Sequence, residues 1–173
     1  MSASDAVTVS IEVGVPPAVA FDVFTAEIDA WWQHGPRYRF VAPYGGVMKL
    51  EPRAGGRLLH VHDEAAGLLF EVGRVRVWEP PTRLVFSWRL DSFAPDEITL
   101  VEVSFEPAET GTLVTVTHRG WDSLRLDHPA RHGQSGRAFV LFRGRWWADL
   151  LAAAKAHAER AQCTTDPRGG VRP

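Results

Sequence analysis

Two periods of hydrophobicity divide this chain. In "VTVSIEV", residues 7–13, Val7, Val9, Ile11 and Val13 share one face, the mark of a half-buried strand. Gly14 turns the chain, and Pro16 and Pro17 open a helix at positions where a missing N–H does little harm. Across "PPAVAFDVFTAEIDAWW", Ala20, Val23, Phe24, Glu27, Ile28 and Trp31 keep helical spacing with a break near Glu27, which predicts two short helices. Beyond Pro36 the period changes to two, in segments at 47–51, 55–63, 68–79, 83–90, 98–106 and 112–120. Their connections, such as "EPPT" and "PAETG", are short, as antiparallel hairpins require. With the first segment they make about seven strands in a meander.

The polar stretch "LRLDHPARHGQSG" then reads as a surface loop or lid. After it, "RAFVLFRGRWWADLLAAAKAHAERA" is a long helix. Phe139, Phe142, Trp146, Leu150 and Ala153 form its apolar stripe, which Trp147, Leu151 and Ala154 widen. On this wheel Trp146 packs on the sheet and Trp147 lies toward the edge. Gly144 costs the helix about 1 kcal/mol against alanine, tolerable where another backbone comes close. Residues 1–6 read as an N-terminal tail, 7–160 as one domain and 161–173 as a disordered C-terminal tail.

One strand, two short helices, six strands and a long helix make an α+β chain with one sheet face to cover. Only the last helix is large enough to cover it. A strongly twisted sheet wrapped around that helix leaves space between them, so an internal cavity is expected.

Composition narrows the function. A net charge of −2 and scattered arginines offer no basic stripe for nucleic acid. No apolar run approaches the ~20 residues needed to cross a bilayer, and "MSASDAV" lacks a signal-peptide pattern, so cytoplasm is the expected location. The single cysteine, Cys163, excludes an intramolecular disulfide and a cysteine-cluster metal site. The glycine-bearing segments "RAGGR" and "FRGR" lack phosphate-loop spacing.

Five segments carry a family resemblance: "PPAVAFDVFT…WW" at 16–32, "EPRAGGRL" at 51–58, "VWEPPTRLVFSW" at 77–88, "GTLVTVTHRGW" at 111–121 and "GRWWADLL" at 144–151. In this order the chain resembles the START-like, or SRPBCC, superfamily with the Bet v 1-like helix-grip fold. Within it the chain looks most like the homologues of the activator of heat-shock-protein-90 ATPase. The resemblance spans roughly residues 7–158 and implies an apolar cavity, with no reaction assigned to most members. The chain departs from the pattern at "LLHVHD", where many relatives carry a large apolar residue, and no counterpart of the eukaryotic activators' second domain is expected from these residues.

Candidate site residues follow. In each tryptophan doublet one indole is expected to pack while the other borders the cavity, which selects Trp32 and Trp147. His60 and His62 lie two apart on one strand face, and the family register turns Leu58, His60 and His62 inward. Val114 and Val116 bring His118 inward on its strand. Three histidines on one surface could hold a divalent ion, but H-x-H alone is a weak motif and no carboxylate completes it, so neither metal nor cofactor is expected. A solvent-facing or hydrogen-bonded structural pair is the plainer reading. Of Arg74, Arg76, Arg89 and Arg143, the last best suits a ligand carboxylate, being about 40° from Trp147 around the helix. Phe86 and Trp88 complete the expected lining. "DHPARHGQSG" contains Ser, His and Asp without the geometry of a triad.

The leading functional expectation is a binding protein for a small apolar or aromatic molecule. The alternatives are a polyketide cyclase or aromatase type of enzyme, with His118 or the His60/His62 pair moving protons, and a chaperone-associated or other protein-binding module. A homodimer is a further option.

Overall fold

The computed structural model of the chain describes residues 6–40 and 45–165. Strand β1 (Val7–Val13) leads into helices α1 (Pro17–Thr25) and α2 (Ile28–Trp31). Strands β2 (Val47–Leu50), β3 (Arg57–Asp63), β4 (Leu68–Glu79), β5 (Arg83–Trp88), β6 (Thr99–Ala108) and β7 (Gly111–Arg119) follow. Two 3₁₀ turns, Trp121–Ser123 and Pro129–Arg131, precede the long helix α3 (Gly136–Thr165). The strands form one antiparallel sheet in the order β1-β7-β6-β5-β4-β3-β2, curled around α3, which is the helix-grip α+β arrangement.

Local chemistry accounts for these elements. Pro17 occupies the first turn of α1, where no intrahelical N–H bond is lost. Glu27, at φ −103° and ψ 24°, leaves helical geometry and separates α1 from α2. The Trp31 indole then ties the two helices together by donating to the Val23 carbonyl at 2.9 Å. At the other end of the chain order, β7 pairs with β1 so that Val7 opposes His118, Val9 opposes Val116 and Ile11 opposes Val114. That register turns His118 into the core with its two valines, as the alternation requires.

The β3–β4 register shifts beside Gly73, between the pairs Leu58–Gly73 and Leu59–Glu71. A Cβ there would stand 1.6 Å from the Ser87 carbonyl oxygen, so only glycine permits the approach of β5. Beneath α3, the space bounded by Ile11, Val13, Phe24, Val114 and Leu151 holds about 10 Å³. That is at the lower limit for one water molecule, so this part of the interior is packed rather than hollow.

Four expectations are corrected. The polar stretch after β7 is not a loose lid. Leu124, His128, Ala130 and Arg131 are buried, and Arg131 donates to the carbonyls of Trp121 and Leu124. Its polar character misled because His128 serves the backbone: Nδ1 accepts from the Ala130 N–H at 3.1 Å, while Nε2 meets Glu97 at 3.2 Å. The last helix also runs to Thr165, past residue 161 where a tail was expected. Residues 1–5 and 166–173 of the two expected tails lie outside the described residues.

The third correction concerns the rotation of α3. Trp147, Leu150, Leu151 and Ala158 are its most deeply buried residues, whereas Phe142 is only half-buried. Apolar residues cover too much of the helix circumference for the wheel to choose a centre. The fourth concerns Gly144: a Cβ there would meet only Val7 Cγ1 at 3.8 Å and Val9 Cγ2 at 4.0 Å, ordinary van der Waals contacts. No backbone approach requires this glycine.

Two glycine substitutions therefore have opposite outcomes. Gly144→Ala is expected to stabilise the protein by about 0.4–1 kcal/mol, because alanine restricts the unfolded chain and fits the folded one. Gly73→Ala is expected to destabilise it, by displacing β5. Urea-unfolding midpoints of the two variants check both signs.

Candidate functional site

The two tryptophan doublets meet in space. Trp32, Trp146 and Trp147 are mutually near-perpendicular: Trp32–Trp146 centroids are 5.8 Å apart, Trp32–Trp147 6.2 Å and Trp146–Trp147 5.1 Å. Edge-to-face contacts of this kind suit the ring quadrupoles. Each indole N–H has its own acceptor. Trp32 donates to the Tyr38 carbonyl at 2.9 Å, Trp146 to the Arg37 carbonyl at 2.8 Å, and Trp147 to His118 Nδ1 at 3.1 Å. The first two bonds hold the backbone at 37–38 against α2 and α3.

An open groove of about 430 Å³ lies beside this cluster. The loop from Pro36 to Phe40 forms one wall, Trp88, Leu90 and Asp91 another, and Phe142, Arg143 and Trp146 of α3 the third; His132 stands at one end. His132 has a left-handed backbone, φ 50°, and packs its ring on Phe142 at 5.2 Å.

Arg143 is 3 % exposed and is surrounded by indoles, its guanidinium carbon 4.7 Å from the Trp121 centroid and 5.2 Å from those of Trp88 and Trp146. Nη2 donates to the Ala130 carbonyl at 3.2 Å, while Nε has no partner. Among the described residues, no carboxylate forms an ion pair with it. Burial pushes its pKa down to about 9. The same positive charge adds to burial in holding His132 below the usual imidazole range.

The other two groove arginines are neutralised. Arg39, also 3 % exposed, pairs with Asp29 Oδ1 at 3.1 Å and donates to the carbonyls of Gln33 and Trp32. Arg37 pairs with Asp149 at 3.3 Å on the exposed rim. Arg143 is thus the buried charge of the groove that lacks a counter-charge.

Of the eight residues selected from sequence, Trp88 and Arg143 line the groove. Trp32, Phe86, His118 and Trp147 are core residues outside that lining, so the expected roles of the α3 doublet are exchanged: Trp146 borders the groove and Trp147 packs. The wheel left both open; hydrogen bonding decides, because His118 offers Trp147 an acceptor inside the sheet. His118 is closed on both sides. With Nδ1 accepting from Trp147, Nε2 carries the proton and donates to Thr99 Oγ1 at 2.7 Å, and that hydroxyl donates to the Trp88 carbonyl at 3.0 Å. Burial, helped by Arg143, keeps its pKa well below the ordinary imidazole value. It stays neutral and braces the frame.

His60 lies behind Phe40, donating Nε2–H to the Gly45 carbonyl at 2.6 Å, with the His62 ring 4.2 Å away. Burial lowers the His60 pKa. His60 Nδ1 and His62 Nε2 are buried without partners. Among the described residues, no three His, Cys, Asp or Glu side chains are grouped to hold a metal ion. Sequence reasoning missed the wall from Pro36 to Phe40, together with Leu90, Asp91, His132 and Phe142. The arginines and aromatics at 37–40 and the Phe142–Trp146 spacing were the available signals.

Fold and groove define a helix-grip protein with an aromatic recess at one end of its long helix. The chain belongs to the family of activator of Hsp90 ATPase homolog 1-like proteins, whose model matches residues 14–138. No curated protein matches it. Similar solved structures include protein MLL2253 from Mesorhizobium loti, with 20 % identity, TM-score 0.61 and coverage of 93 % of this chain and 98 % of that one. The AHSA1-like protein from Aeromonas hydrophila has 16 % identity and TM-score 0.60, covering 96 % and 99 %. PFC0360w, an HSP90 activator from Plasmodium falciparum, has 17 % identity and TM-score 0.59, covering 88 % and 95 %. At these identities the likeness is one of fold.

Two predictions follow from the charges. Arg39→Met is expected to cost about 1–3 kcal/mol, since it leaves the carbonyls of Trp32 and Gln33 without their donor while Asp29 stays partly solvated, whereas Arg143→Met strands a single carbonyl and costs less. Chemical denaturation of both variants tests the contrast. His60, His118 and His132 all have folded pKa values below the unfolded 6.5. The unfolded chain therefore binds more protons as pH falls below about 6.5, and stability declines by up to about 1.4 kcal/mol per pH unit for each imidazole kept neutral. Urea midpoints at pH 7.5 and 5.0 measure the decline.

Proposed function

We propose that this chain is a small-molecule-binding protein whose ligand lies in the groove between α3, the end of β5 and the loop at 36–40. The carrying observation is the lining itself. Phe40, Trp88, Phe142 and Trp146 surround a space of about 430 Å³. Ligand sites run from roughly 300 to 1,000 Å³ and are mostly apolar with a few placed polar groups. The walls are preorganised, since the Arg37 and Tyr38 carbonyls are held by two indoles and Asp149 accepts from the Tyr38 hydroxyl at 3.0 Å. Preorganised walls lower the ordering cost of binding.

The ligand on this reading is a small molecule with an apolar or aromatic body. The enzymatic alternative draws less support, because His118 has both ring nitrogens engaged and lies outside the groove lining. A general acid or base must reach its substrate. A protein-binding role draws on the family description alone.

Native mass spectrometry of the purified protein is expected to reveal a co-purifying small molecule, and lipophilic aromatic compounds to raise its Tm. At a free concentration 100-fold above Kd, a ligand adds about 2.7 kcal/mol to the unfolding free energy. Phe142→Ala is expected to weaken binding while leaving the fold intact. No bound molecule and no thermal shift across an aromatic and aliphatic library would remove this reading.

A further inference from the structure

Resting on the groove reading above, we infer that the ligand is a monoanionic carboxylate, its aromatic or aliphatic body lying against Leu90 and Phe142, the partly exposed apolar side chains of the lining, and its carboxylate meeting the guanidinium of Arg143. A buried guanidinium without a counter-charge is expensive to keep, and apolar residues of similar size serve a core at least as well. The three indoles around Arg143 offset part of that penalty through their ring faces but supply no acceptor for its N–H groups. Nε remains without a partner although the residue is 3 % exposed. Nε itself is shielded from the groove, so an acceptor brought by a ligand meets Arg143 at the terminal nitrogens of its guanidinium, on the side where the residue lines the groove.

The charge count sets the class. Arg39 is already paired with Asp29, and Arg37 with Asp149, so one positive charge remains to be met. A carboxylate meets it with one negative charge and an oxygen acceptor for a charge-assisted hydrogen bond. A dianion would bring a second charge into a groove that also carries Asp91, an exposed carboxylate on the same wall as Trp88 and Leu90.

The test compares acids with their neutral amides on the full chain at pH 7.5. The pairs are 2-naphthoate with 2-naphthamide, indole-3-acetate with its amide, and decanoate with decanamide; 2-naphthyl phosphate supplies a dianion. Binding is read by isothermal titration and by tryptophan fluorescence, since Trp88 and Trp146 form the walls. For at least one pair the acid is expected to bind about tenfold or more tightly than the amide, as for a charge-assisted hydrogen bond. The dianion is expected to bind more weakly than 2-naphthoate.

In Arg143→Gln the preference for the acid is expected to vanish. The comparison in the unaltered protein decides the matter if that variant fails to fold. An amide that binds as well as its acid in every pair overturns the anion and leaves the groove reading standing. Tighter binding of the phosphate overturns the monoanion, and an acid preference that survives in Arg143→Gln moves the anion elsewhere. Binding of no member of any pair removes the groove reading and this inference together.

Discussion

Four tryptophans of the two doublets organise this molecule, because each finds an acceptor for its indole N–H as well as a buried place for its ring. Trp31 joins α1 to α2, Trp32 and Trp146 hold the backbone at 37–38, and Trp147 fixes His118. Each ring buries a large apolar area that stabilises in any orientation. The N–H selects among those orientations, because an unmet buried donor costs about 1–3 kcal/mol. From Trp147 the constraint passes through His118 and Thr99 to the Trp88 carbonyl, so the frame behind the groove is one connected polar chain inside an aromatic core.

The same rule gives meaning to the arginines. Arg39 and Arg143 are equally buried, yet Arg39 meets a carboxylate and several backbone carbonyls, while Arg143 meets one carbonyl and three indole faces. A fully satisfied buried network rigidifies, and an unpaired buried polar group is costly. Arg39 therefore belongs to the architecture, and Arg143 is the residue on which the proposed recognition rests. The cap after β7 contributes the Ala130 carbonyl that steadies Arg143, which explains why a polar, histidine-bearing stretch is folded tightly against the body.

The sequence determined the elements. Period-two alternation places β1 at Val7–Val13 and β4 at Leu68–Glu79, and the paired prolines start α1. The alternation through Val114 and Val116 also turns His118 inward. These features depend on neighbours within a few residues, so they are legible locally. Arg143 could be singled out on the same footing, as a cation set among aromatics on one helix.

Tertiary structure alone decided that Trp31 and Trp32 both pack, that Trp146 rather than Trp147 borders the groove, which groove arginine keeps its charge unpaired and where the groove opens. The acceptors that choose between Trp146 and Trp147 are the Arg37 carbonyl and His118, 109 and 29 residues away in sequence. Asp29 reaches Arg39 only because the loop after α2 folds back, and Ala130 reaches Arg143 only because the cap closes over β7. Hydrogen-bond partners and counter-charges are relations between distant parts of the chain, and periodicity carries no record of them.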